Sequence, residues 1–93
     1  MRWREVVEAF LNKESASGSN CYSTGNKLFS YSICIGQYIN DVLYVNVTKY
    51  SPTTSKLQNV LLRSGPRMLV ELQGIPRDTD NLSYILEKIF KKL

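Results

Sequence analysis

Asn46-Val47-Thr48-Lys49-Tyr50-Ser51-Pro52-Thr53-Thr54-Ser55-Lys56 begins as the end of a strand and finishes as the start of a helix. Ser51 followed by Pro52 is the pattern of an N-cap and a first helical residue, the position where a proline's missing N–H costs nothing. The amides of Thr53 and Thr54 are then expected to point out of the helix start, with Lys49 and Lys56 near them in sequence. Unpaired backbone donors, the positive end of a helix dipole, hydroxyls and cations together favour an anion. The same hydroxyls also suit a structural turn that caps the helix and closes the bend before it. Both readings stand at the level of sequence.

Upstream of this stretch, Leu43, Val45 and Val47 alternate with Tyr44, Asn46 and Thr48, which predicts a strand over 42–49. Before it, 28–38 reads as another strand, with Phe29, Tyr31, Ile33 and Ile35 facing the core and Asn40-Asp41 as the turn between the two. A two-residue turn sets odd residues opposite even ones and mismatches the core faces. Either a three-residue loop or a bulge at Gly36 restores Ile35 opposite Val45 and Ile33 opposite Val47. Tyr44, Asn46 and Thr48 then share a polar sheet face with Ser32 and Cys34. Downstream, Leu57, Val60 and Leu61 stripe a helix over 52–63 that Gly65-Pro66 ends, and 68–73 is a third strand.

The chain termini carry helices. Trp3, Val6, Val7, Phe10 and Leu11 recur at amphipathic spacing, as do Leu82, Ile85, Leu86, Ile89, Phe90 and Leu93, with Asp78 to Asp80 as the cap. Residues 13–27 are almost wholly polar and read as one long loop, a length that is usually functional. The order is α-β-β-α-β-α: one α+β domain over 1–93, a three-stranded sheet with helices mainly on one face. Phe29, Tyr31, Ile33, Ile35, Val45, Val47, Leu69, Ile85 and Ile89 are the expected single core.

Composition narrows the function classes. Of 93 residues, 12 are Lys or Arg and 8 are Asp or Glu, a mild positive excess that suits polyanions. From residue 13 to residue 56, Lys13, Lys27, Lys49 and Lys56 face only Glu14 and Asp41 as acids. No apolar run reaches the roughly 18–20 residues that span a membrane, so no membrane partner is expected and the protein reads as intracellular. The absence of histidine removes the usual base near neutral pH. There is no nucleophile elbow, no phosphate-binding glycine loop and no carboxylate pair at motif spacing, so a binding protein is expected rather than an enzyme. Cys21 and Cys34 without histidine do not make a zinc site, and no metal or cofactor is expected. Asn46-Val47-Thr48 and Asn81-Leu82-Ser83 match the glycosylation pattern by chance.

The spacing Asn-x-Thr-Lys-Tyr-Ser-x-Thr-Thr-Ser-x-x-Gln, from Asn46 to Gln58, resembles a motif of small proteins encoded by bacteriophages and archaeal viruses, a family without an assigned activity. The likeness extends to Ser23-Thr24-Gly25-Asn26-Lys27-Leu28-Phe29-Ser30-Tyr31 and covers about the middle third of the chain. Relatives in that family often carry a histidine directly before the glutamine, where this chain has Leu57. The resemblance implies a viral origin and a family fold, and supplies no reaction.

Two binding functions follow. In the first, Lys49, Ser51, Thr53, Thr54 and Lys56 hold a phosphate of a nucleic acid or nucleotide. The loop Ser23–Lys27 adds a second wall through Ser23, Asn26 and Lys27. Tyr22, Tyr38, Tyr44 and Tyr50 can stack on bases, and Asn46 and Thr48 complete the surface. In the second, the same Tyr-, Ser- and Asn-rich surface occludes a host protein, as an anti-CRISPR-like counter-defence inhibitor does.

Overall fold

The computed structural model describes the backbone of residues 2–91 and the side chains of residues 2–88. The first helix, α1 (Trp3–Leu11), forms where the apolar spacing predicts it and buries Val6, Val7 and Phe10. It ends in a Schellman closure without glycine. Lys13 takes a left-handed φ of 60°, Glu14 N–H donates to Ala9 O at 2.8 Å, and Lys13 N–H donates to Phe10 O at 2.9 Å.

The polar segment after α1 is not a loop. It contains β1 (Ser15–Ser17) and β2 (Cys21–Thr24), an antiparallel hairpin that pairs onward with β3 (Lys27–Ser30). Its side chains are too small and polar to show a strand period, but Ala16, Cys21 and Ser23 face α1. Ser23 is buried because its hydroxyl donates to Glu14 O at 2.8 Å. The expected single strand over 28–38 is two strands, β3 and β4 (Ile33–Ile39), broken at Tyr31-Ser32. Tyr31 turns the corner at φ 57° and is exposed, not in the core.

Between β4 and β5 (Val42–Asn46), Asn40 and Asp41 both have positive φ, the geometry of a type I′ hairpin turn. This two-residue turn sets Ile39 opposite Val42 and Gly36 opposite Val45. The expected pairs Ile35–Val45 and Ile33–Val47 therefore do not form. The faces are matched instead by a bulge beside Gly36. Leu28 pairs with Gly36 and Phe29 with Cys34, which leaves Ile35 without a partner. Ile35 and Gly36 consequently face the same side. Ile35 is buried with α1 and α2, and a Cβ on Gly36 would lie 3.0 Å from the Phe10 ring.

After β5 the chain runs through α2 (Pro52–Ser64) to β6 (Leu69–Leu72), which pairs parallel to β5. Helix α3 (Ser83–Lys91) follows, and Asn81, not Asp78 to Asp80, caps it by accepting from Ser83 N–H at 3.0 Å. The sheet thus has six strands in sequence order, β1 to β6, rather than three.

Helices cover both faces, so there are two cores instead of one. Val6, Val7, Phe10, Leu57 and Leu61 of α1 and α2 pack on Cys21, Leu28, Ile33, Ile35, Leu43 and Val45. On the other side Phe29, Cys34, Leu72, Ile75 and Leu82 form a second cluster, with Tyr44, Ile85 and Leu86 against it. Val47 and Leu69 border the first core, partly buried, and the side chain of Ile89 lies outside the described residues. Each fully buried Leu, Ile or Phe contributes about 1.5–3 kcal/mol of burial free energy. Among the described residues no helix is long and apolar enough to cross a membrane.

Candidate functional site

Most of the side chains in the Asn46–Gln58 stretch are occupied by the protein itself. Asn46 is fully buried; its amide donates to Cys34 O at 3.1 Å and to the Tyr50 hydroxyl at 2.9 Å, and its Oδ1 accepts from Thr48 N–H at 3.1 Å. Tyr50 passes its own hydrogen to Ile75 O at 2.6 Å, and Thr48 Oγ1 accepts from Ile75 N–H at 2.9 Å. Gln58 donates to Asn46 O at 2.6 Å and Thr48 O at 2.9 Å. The spacing that looked like a recognition motif ties the end of β5, the start of α2 and the segment after β6 into one clamp. Asn46 is therefore not part of a contact surface, and Tyr44 is half-buried against the second core.

Ser51 caps α2 as expected, its Oγ accepting from Thr54 N–H at 3.2 Å. That bond removes Thr54 from the anion-binding set. Its amide is taken, and its side chain, fully buried, lies between Ser51 Oγ at 3.1 Å and Ser30 Oγ at 2.9 Å. Of that turn, the Thr53 amide is left without a carbonyl or cap.

Two of the remaining three candidates, Thr53 and Lys56, line a cleft of about 720 Å³ with Arg2, Trp3, Arg4, Glu5, Ser19, Asn20, Cys21, Ser30 and Leu57. Lys49 is exposed and does not line it. The second wall expected from Ser23–Lys27 comes instead from Ser19 and Asn20, the turn between β1 and β2. Ser23 is buried on the face of that hairpin turned to α1, while Tyr22 lies on the opposite sheet face, stacked on Phe29 with ring centroids 4.7 Å apart. Asn26 and Lys27 close the β2–β3 turn, where Thr24 donates to Asn26 Oδ1 at 3.1 Å and accepts from Lys27 N–H at 3.2 Å.

The cleft brings together the first turns of two helices. Arg2 caps α1 through its backbone alone, its carbonyl accepting from Glu5 N–H at 3.0 Å, with no side-chain cap. Trp3, Arg4 and Glu5 from the first turn of α1 and Thr53 from the first turn of α2 line it, so the positive ends of both dipoles lie at this cleft. Arg4 stacks on Trp3, its guanidinium 5.2 Å from the ring centroid. The one ion pair among the described residues, Lys13–Asp41, lies elsewhere, so Arg2, Arg4 and Lys56 face the cleft without a described carboxylate partner.

Ser51 Oγ donates to Thr54 Oγ1. Thr54 Oγ1 and Ser30 Oγ share a hydrogen bond of 2.9 Å in which either hydroxyl can donate; Ser30 is 1% exposed and lines the cleft. Beside it, burial raises the pKa of the Cys21 thiol. The contribution of α1 was hidden in the sequence, where Trp3 read as core and Arg2 and Arg4 as a wet face. Only the fold places them beside α2.

Cys21 and Cys34 are both free and belong to cores on opposite faces. Comparison with known protein families, curated proteins and solved structures finds no match.

Proposed function

We propose that this protein is a non-enzymatic binding protein that holds a phosphate-bearing ligand, a nucleic acid or nucleotide, in the cleft between the starts of α1 and α2. The observation that carries this reading is the convergence of Arg2, Arg4 and Lys56, without a described carboxylate partner, on one cleft. Like charges held together without partners repel, and an anion relieves that repulsion while taking up open donors. The motif's resemblance adds the proposal that the protein is virus-encoded and acts in the host cell.

The test is fluorescence anisotropy of a labelled single-stranded oligonucleotide across a salt series. Affinity is expected to fall steeply with salt as counterions are released. Lys56→Gln and Arg2→Gln should each weaken binding and reduce the salt slope by about 1, while Glu5→Gln should strengthen binding by removing a competing carboxylate. Binding that ignores both salt and these substitutions would count against the proposal.

A second reading has its own observation. Tyr22 and Tyr31 are 40% and 53% exposed, and Ser15, Ser17, Tyr22 and Ser23 border a shallow hollow. A Tyr- and Ser-rich surface suits a host-protein interface of the counter-defence type. A nuclease-resistant complex lost on Tyr22→Ala, with no oligonucleotide binding at low salt, favours it.

A further inference from the structure

We infer that β6 is the contact edge of a homodimer, on which a second copy of this chain lays its own β6 antiparallel, with Leu69 opposite Leu69 and Arg67 opposite Glu71. The inference is independent of the cleft. β6 is the last strand of the six-stranded sheet, and among the described residues only β5 pairs with it. Leu72 O accepts from Val47 N–H at 2.8 Å. Backbone groups alternate in direction along a strand, so Val70 and Leu72 bond to β5 while the N–H and C=O of Leu69 and Glu71 point away from the sheet. Such a row is a template for another strand. Edges that stay single are normally blunted by lysines, proline or a bulge; β6 has none of these and carries one charge, Glu71. The apolar side chains along it are out in water, Met68 80% exposed and Val70 39%. The opposite edge, β1, is three small residues, Ser15 to Ser17, and offers a partner little to bury.

The occupant and its register follow from the residues of the edge. The outward-facing backbone groups allow symmetric antiparallel pairings centred on Leu69, Val70 or Glu71. Centred on Glu71, the two carboxylates stand directly opposite each other, which is destabilising. Centred on Val70, each Glu71 faces a leucine and finds no cation opposite. Centred on Leu69, Glu71 of each copy faces Arg67 of the other, just ahead of the strand, and Met68 lies beside Val70. Arg67 and Glu71 are both exposed, and neither has an ion-pair partner among the described residues. A two-fold axis makes every pair occur twice, so this register joins two arginine–glutamate pairs, two methionine–valine pairs and the reciprocal backbone bonds of Leu69. An edge whose charges complement themselves selects a second copy of the same chain. The contact is short, so the dimer is expected to be weak and concentration-dependent.

Sedimentation equilibrium of the full chain at concentrations up to about 1 mM tests this. The average mass should climb from 10.7 kDa toward twice that value. Arg67→Glu and Glu71→Arg each set like charges against each other at both contacts and should weaken association at least about tenfold. Thermal unfolding of the dilute variants should be unchanged, because both side chains are exposed. Mixed in equal amounts, the two variants meet with opposite charges at both contacts, and the mass should rise again. Amide hydrogen exchange gives a readout free of substitution: the Leu69 N–H should slow as concentration rises, while those of Val70 and Leu72, bonded to β5, keep their rates. A mass of 10.7 kDa at every concentration overturns the inference. So does association that neither charge reversal weakens, or that mixing the two variants fails to restore.

Discussion

Gly36 shows how much one missing side chain decides. It sits at the bulge where β4 shifts face, and a Cβ there would approach Phe10 Cε2 to 3.0 Å and Leu61 Cδ1 to 3.1 Å. Its lack of a side chain lets α1 and α2 close over the sheet. Gly36→Ala is expected to cost about 1–3 kcal/mol by overpacking, read as a lower urea midpoint with an unchanged slope. Cys34 lies on the other face, fully buried, and desolvation pushes its thiol pKa from 9.0 up to about 12. The folded state holds that proton after the unfolded chain has released it. The stability it contributes is therefore complete below pH 9 and declines as pH rises from about 9 towards 12. Thiol-reactive probes at pH 8 should leave Cys34 untouched until the protein unfolds, and Cys34→Ser should flatten the alkaline loss of stability. Residues such as Gly36 are hard to read from sequence, because a glycine in a strand pattern signals a bulge or a close approach without naming the partner. The expectation of a bulge there came from matching core faces; Phe10 and Leu61 came only from the fold.

At the scale of elements, the strand-to-helix turn was legible and its purpose was not. Ser51 and Pro52 start α2 where the sequence places it, and α1 and α2 follow their apolar stripes to within a residue at each end. The polar residues around them read equally well as ligands or as braces, since asparagine, threonine and tyrosine serve both uses. The partners decide: Tyr50 and Thr48 reach Ile75, which lies 25 residues beyond Tyr50, and no local pattern announces a contact that distant. Tyr50→Phe tests the brace directly. It leaves Ile75 O and one Asn46 N–H bond unmade, and should cost about 1–3 kcal/mol of stability, measured by denaturant unfolding, with no change in oligonucleotide affinity. The β1–β2 hairpin was invisible for a different reason. Its inward residues are Ala16, Cys21 and Ser23, so it carries almost no hydrophobic alternation, and α1 holds it in place.

For the whole molecule, a sheet covered on both faces accounts for the split of the expected core into two. It also explains why the predicted anion set divided, with Ser51 and Thr54 drawn into the cap and Thr53 and Lys56 left at a cleft that α1 completes. Net charge pointed to an anion, but the charges that meet come from distant parts of the sequence, Arg2 and Arg4 with Lys56. On the proposed function, the Asn46–Gln58 stretch braces the fold and a phosphate-bearing ligand binds between the two helix starts. Backbone amide shifts followed by NMR during titration with a 5′-phosphorylated oligonucleotide test it most directly. The amides of Trp3, Arg4, Glu5, Asn20 and Thr53 should shift together and saturate at one concentration, while those of Thr48, Lys49 and Tyr50 stay in place. Shifts confined to Thr48–Tyr50 and to Ser23–Lys27, with α1 unmoved, would contradict the account.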